Sequence, residues 1–198
     1  MNPIKNEYFT IPFDLASYVY FEKKCPQFAL YLSMKAISDG ILKDNRQVFT
    51  QVSELSGIKD RCTYKKYLKE LIKDNWIGYN STSKTFFIRS FSVLRKNVEK
   101  PSKRGARLEA WKFINLKSFI ESLIITTKIK KQQYAITKGL EKKIGRAALK
   151  NGGALQALKK VPDFGYLGLS NEGIAKLLHC SNSHANRAKL LAKKLKFI

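Results

Sequence analysis

The sequence predicts a mostly α-helical fold with small β-hairpins, divided into two domains. Three observations predict it. Apolar residues recur at helical spacing in several separate segments, two short β-prone runs flank a polar pentapeptide, and a basic stretch without apolar periodicity interrupts the chain near its middle. They place a first domain at residues 1–94, a linker at 95–107 and a second domain at 108–198.

In the first domain, Leu30, Tyr31, Met34 and Ile37 share one face of a helix expected over residues 26–38, which Asp39-Gly40 stops. Gln47, Val48 and Phe49 read as a short strand. Thr50 is then a good N-cap for a short helix over residues 50–55, with Val52 and Leu55 inward and Ser56-Gly57 as its breaker. A second helix over residues 60–74 carries Tyr64, Leu68, Leu71 and Ile72 along one stripe. Residues 76–79 and 85–89 read as two strands, with Asn80-Ser81-Thr82-Ser83-Lys84 as the hairpin tip. The order is helix, strand, helix, turn, helix, hairpin.

The segment 95–107 holds six basic residues, one acid, a Pro and a Gly, and reads as a linker. Beyond it, Ser118-Phe119-Ile120-Glu121 matches a capping box opening a long amphipathic helix that runs towards Gln133 or Ile136. A further helix is expected over residues 140–150, ended by Asn151-Gly152-Gly153, and a short one over 154–161, stopped by Pro162.

The last segment repeats the first theme. Residues 166–169 read as a strand, Ser170 as an N-cap and 171–178 as a short helix with Ile174, Ala175 and Leu178 inward. His179-Cys180 forms the turn, and residues 181–195 form a second helix. Residues 181–198 share the layout of residues 59–77: small polar residues, then an apolar spine, then an aromatic-Ile exit. An internal duplication accounts for both. The sequence stops at Ile198, where the hairpin of a second copy would begin, so either this copy lacks one or the chain is a truncated form.

Charge narrows the partner. The chain has 38 Lys+Arg against 15 Asp+Glu, a formal net charge of +23 and a pI near 10.0. Residues 1–90 carry 14 basic and 9 acidic side chains, whereas residues 91–198 carry 24 and 6. A surplus of this size favours a polyanion, either nucleic acid or an anionic membrane surface. The basic helix bearing Lys128, Lys130, Lys131, Lys138, Lys142, Lys143 and Arg146 would also suit a membrane surface, but the helix, turn and helix that follow it make DNA the better reading, and no membrane partner is expected. Cys25, Cys62 and Cys180 are scattered without a C-x-x-C pair, the pattern of reduced cytoplasmic thiols. Neither a signal peptide nor a membrane span is expected, so the protein is expected to be cytoplasmic.

The run Thr50-Gln51-Val52-Ser53-Glu54-Leu55-Ser56-Gly57-Ile58, then Tyr64, Leu68 and Leu71, then Asn75-Trp76-Ile77, resembles the winged-helix domain across roughly residues 26–95. With the repeat near the C-terminus, the expected fold class becomes two winged-helix/helix-turn-helix domains. The resemblance implies that the second helix of each copy enters the major groove of duplex DNA, its first turns facing base edges. In the second copy these positions are Asn182, Ser183, His184, Asn186, Arg187 and Lys189, with Ala185 and Ala188 inward. In the first they are Arg61, Thr63, Lys65, Lys66 and Lys69, with Lys84 on the hairpin. Lys100, Lys103, Arg104 and Arg107 of the linker would follow phosphates or reach a minor groove, as basic arms do.

The tandem layout with a basic joint is similar to that of plasmid and phage replication initiators, and to phage or mobile-element transcription regulators. Either would be a sequence-specific double-stranded DNA-binding protein, nucleoid-associated in a bacterial or phage-infected cell. A second copy of the chain and the replication or transcription machinery are further candidate partners. A non-specific coating or packaging protein is the other reading. The neutral polar residues among 182–187 count against it, because charge alone would need only lysine.

Catalytic signatures are sparse. His179, Cys180 and His184 supply three of the four ligands a structural zinc needs, so no metal and no cofactor is expected. His184-Ala185-Asn186-Arg187 matches the H-x-x-R of tyrosine recombinases, but no tyrosine follows Arg187 to act as nucleophile. There is no H-x-H pair, no tight acidic cluster and no phosphate-binding glycine loop. The expectation is a binding protein, not an enzyme.

Overall fold

Local signals near the N-terminus start the first sheet and helices. The computed structural model describes residues 7–38, 40–98, 102, 104–144 and 169–194. Strand β1 (Tyr8–Pro12) buries Phe9 and Ile11 alternately and runs directly into α1 (Phe13–Phe21). Helix α2 (Cys25–Ile37) starts with proline at its first turn, where a missing N–H costs nothing. β2 (Ile41–Lys43), α3 (Arg46–Ser56) and α4 (Arg61–Lys73) follow, then the hairpin strands β3 (Ile77–Asn80) and β4 (Thr85–Ile88) and the short α5 (Phe91–Leu94). Strand β5 (Gly105–Glu109) leads through a 3-10 segment (Ala110–Asn115) into α6 (Leu116–Ile144). The last described helices are α7 (Asn171–Leu178) and α8 (Asn182–Lys194). Among the described residues the fold is mostly helical, with two small antiparallel sheets: β1 with β5, and β2, β4, β3 in that spatial order.

The chain divides into two compact units at Ile120/Glu121, inside α6. In the first, α2 is the hub. Ten of its 13 residues are buried, because α1, α3, α4, β4 and the 3-10 segment all pack on it. The sequence gives this helix one apolar face, but its polar side is covered as well, and Ser33 is satisfied by donating to the Ala29 carbonyl. Phe28 and Tyr31 stack at 5.9 Å, and Trp76 meets both edge-on at 5.8 and 6.0 Å. The Tyr31 hydroxyl donates to the Arg89 carbonyl at 2.6 Å, which ties α2 to the end of the hairpin.

Three expectations are corrected here. Residues 47–49 are helical, not a strand: the side chain of Asn45 accepts from the Val48 amide at 2.9 Å, so the cap lies five residues before Thr50 and α3 starts at Arg46. Val48 and Val52, four apart, then share the buried face of one helix, and the strand between the helices is β2. Ile72, expected inward, is 39% exposed.

The expected linker is partly structure. Gly105, Ala106 and Arg107 belong to β5, with Arg107 opposite Thr10 and Glu109 opposite Tyr8. Arg95 is no linker cation either: its Nε donates to the buried Asp14 carboxylate at 2.7 Å and its Nη2 to the Ser102 carbonyl at 2.6 Å. A carboxylate this deep requires such a partner. Lys100 and Lys103 lie outside the described residues.

The helices expected over 118–136 and 140–150 are one α6 as far as Ile144, and residues 145–150 lie outside the described residues. It starts at Leu116, in continuation of the 3-10 segment, so Ser118 is not a cap. The β-branched run Ile124-Ile125-Thr126-Thr127 stays helical because all four side chains are buried and Thr126 donates back to the Ser122 carbonyl. The helix expected over 154–161 lies outside the described residues, as does all of the strand expected over 166–169 except Leu169, which is not in a strand. No described helix is long and apolar enough to cross a membrane.

Gly105 has a stringent steric role. A Cβ there would sit 2.7 Å from the backbone oxygen of Ile11, so any side chain pushes β5 off β1. Gly105→Ala is expected to lower stability by about 1–3 kcal/mol. Gly40→Ala, where a Cβ meets nothing within 4 Å, should stay within about 0.5 kcal/mol of the parent. Urea unfolding midpoints of the two variants check this.

Candidate nucleic-acid interface

Helix ends decide what is presented to solvent. Asn45 caps α3, and the Asp60 side chain accepts from the Thr63 amide at 2.7 Å to cap α4. Between them, Gly57 ends α3 in the left-handed region at φ 75°, its amide bonded to the Ser53 carbonyl, which turns the chain sharply into α4. The hairpin tip is closed by the Asn80 side chain, which accepts from Thr82 and Ser83, and by Lys84 at φ 48°. The Asp44 amide donates to the Lys84 carbonyl at 2.8 Å and holds the hairpin beside the start of α3.

These ends enclose an open groove of about 790 Å³. Its exposed rim carries Arg46, Arg61, Lys65 and Lys84, and Tyr64 and Leu68 form its buried floor with the half-buried Phe49. Asp44 is the one acid lining it, and it accepts from the Tyr79 hydroxyl at 3.1 Å. The Phe49 and Tyr64 rings meet edge to face at 4.8 Å, and the Arg61 guanidinium lies 6.0 Å from the Phe49 ring centre. Burial raises the Tyr64 phenol far above its ordinary range, with Asp44 adding to the shift. Burial and the hydrogen bond to Asp44 also raise the Tyr79 phenol, so both stay protonated.

In the second unit, Ser170 caps α7 by accepting from the Gly173 amide at 3.0 Å, as its sequence position suggests. His179 ends α7 in the left-handed region at φ 52°, and the Ser181 hydroxyl accepts from the His184 amide at the start of α8. Ile174 and Leu178 of α7 are buried, as are Ala185, Ala188 and Ala192 of α8, so small residues line the buried side of α8.

Of the residues singled out on α8, Asn182, Ser183, Asn186 and Arg187 are exposed on its first two turns. His184 and Lys189 are not presented in the same way. The His184 ring Nε2 lies 2.9 Å from the buried Glu121 carboxylate, and Lys189 Nζ donates to the Leu169 carbonyl at 3.0 Å. Both hold α8 rather than face outward.

On α4, Arg61, Lys65, Lys66 and Lys69 are exposed, but only Arg61 and Lys65 line the groove, while Thr63 serves the cap through its amide. Arg104 and Arg107 are exposed, and the Arg107 guanidinium lies 3.7 Å above the Tyr8 ring.

No family model matches the chain, and no curated protein or solved structure matches it.

Among the described residues, no group of three or more His, Cys, Asp or Glu is placed to hold a metal ion. Sequence reasoning missed Arg46, Phe49 and Tyr79. The signal was present at Asn45: an N-cap residue followed by valines four apart marks a helix start that puts Arg46 at its tip.

Hydrogen bonds from the Thr63 hydroxyl and amide hold the Asp60 carboxyl below its ordinary value of 3.8. A carboxyl held low in the folded state stabilises that state above its ordinary value and loses the contribution as pH falls through the lowered one. Asp60→Asn keeps a capping oxygen but does not titrate. It should melt below the parent at neutral pH, with the gap closing as pH drops beneath 3.8. Thermal melts of both proteins across that range measure it.

Proposed function

We propose that the chain is a sequence-specific double-stranded DNA-binding protein of a mobile element or phage, acting as a transcription regulator or replication initiator. On this reading its two units are of the winged-helix/helix-turn-helix type, with the β3–β4 hairpin as the wing of the first. The observation that carries it is the construction of α8. Asn182, Ser183, Asn186 and Arg187 stand exposed on its first turns while Ala185, Ala188 and Ala192 are buried. Amides, a hydroxyl and a guanidinium in that position match the donors and acceptors of base edges in a major groove, whereas contacts to the phosphates alone need only positive charge.

Helix α4 supports the same reading. It too is 13 residues long, follows a left-handed cap on the preceding helix and exposes cations along its outer side. The formal charge of +23 supplies the sequence-independent attraction on which any such reader depends.

Selection of the full chain against random duplexes should enrich one motif. For that site, log K against log[salt] should fall with a slope of about −5 to −9, the range for roughly 6–10 neutralised phosphates. Arg187→Ala should weaken binding to the motif by about 1–3 kcal/mol and leave a scrambled duplex nearly unchanged. Enrichment of no motif, or equal loss on both duplexes, overturns the reading of α8 as the helix that distinguishes bases.

A further inference from the structure

We propose that the groove between the β3–β4 hairpin and the first turns of α3 and α4 holds an unpaired nucleotide of a single strand, stacking its base on the groove aromatics and neutralising its phosphates on the rim. The inference deepens the DNA-binding reading and rests on it, because it makes this groove the place where a strand opened out of the duplex is held.

The groove is concave and, at about 790 Å³, falls in the range of clefts that enclose small ligands, about 300–1,000 Å³. An intact duplex offers only phosphates, sugars and base edges, since its base faces are stacked on one another. The groove is nevertheless lined with aromatic rings. Tyr79 is 41% exposed; Phe86 packs against its ring at 4.9 Å, and its hydroxyl is held by Asp44. A ring fixed at its rim by a hydrogen bond and supported by a second ring is a ready platform for a base. Phe49, half-buried between Tyr64 and the Arg61 guanidinium, offers another. Four cations, Arg46, Arg61, Lys65 and Lys84, surround these rings against the single acid Asp44, which the Tyr79 hydroxyl engages. Aromatic platforms inside a cationic groove are what sequence-tolerant binding of single strands requires.

The test uses the full chain and fluorescence anisotropy with three labelled probes: a ten-residue oligothymidylate, an abasic decamer with the same phosphates, and a duplex. The oligothymidylate should bind at least tenfold more tightly than the abasic strand. Tyr79→Ala should weaken oligothymidylate binding about five- to a hundredfold, the range for one lost base stack, and leave the abasic strand and the duplex within twofold. Tyr79→Phe keeps the ring and should restore the parent affinity, which distinguishes stacking from the Asp44 hydrogen bond. Phe49→Leu, close in volume but without a π face, gives a second reading should the Tyr79 variant melt early.

Equal affinity for the two single strands overturns the inference while leaving duplex binding intact. So does a Tyr79→Ala or Phe49→Leu effect shared equally by all three probes, which would make the rings structural supports for the hairpin. Failure of every probe to bind overturns the DNA-binding reading itself.

Discussion

Phe28 of α2 is the side chain on which the first unit depends. Its ring lies within 5.8–6.3 Å of Tyr31, Trp76 and Phe91, and from Phe91 the contacts continue to Phe9 at 6.2 Å and thence to Phe113 at 5.9 Å. These rings come from β1, α2, the residue before β3, α5 and the 3-10 segment. One aromatic cluster therefore gathers pieces that are remote in sequence. Each such ring pair contributes about 0.5–1.5 kcal/mol beyond the burial of its surface. With α2 enclosed on nearly every side, its polar side chains bond within the unit, Ser33 to the Ala29 carbonyl, Tyr31 to the Arg89 carbonyl and Gln27 to Glu70, and the surface that meets solvent is supplied by the ends of the elements packed around it.

Those ends are set by short-range chemistry. Asn45 and Asp60 fix where α3 and α4 start, and Gly57 fixes the turn between them, because a left-handed residue is needed there and a Cβ would come within 3.3 Å of Ile114. The groove is thus a consequence of two caps, one left-handed turn and a hairpin held against Asp44. In the second unit the counterpart is the pair of polar anchors on α8. Glu121 is only 3% exposed, and its proximity to His184 gives a buried carboxylate a partner while fixing one side of the first turn of α8. Lys189 does the same one turn later through the Leu169 carbonyl. What is left outward on the first two turns of α8 is the uncharged polar set with Arg187.

Much of this was legible in the sequence where the signal spans only a few residues. Ser170 as a cap, Gly57 as a stop, the polar tip from Asn80 to Lys84 and the inward alanines of α8 all follow from i, i+3 and i, i+4 relations or from turn chemistry. The misreading at Gln47–Phe49 shows the limit of that method. A β-branched residue beside an aromatic one looks like a strand until the cap two residues earlier is recognised, and then the same valine belongs to the buried stripe of α3.

The sequence by itself determined the charge, its concentration towards the C-terminal half, the mostly helical character and the positions of the turns, because each is a property of composition or of neighbours within a few residues. Only the tertiary structure decided that β1 pairs with β5, that Arg95 neutralises Asp14 81 residues away, and that Arg46, Tyr79 and Lys84 meet around one groove. The physical reason is that such partnerships depend on which surfaces stay uncovered once the helices have packed. A segment that reads as a polar linker can complete a sheet, and a histidine that reads as a base contact can instead meet a buried carboxylate, since desolvation penalises whichever group is left without a partner.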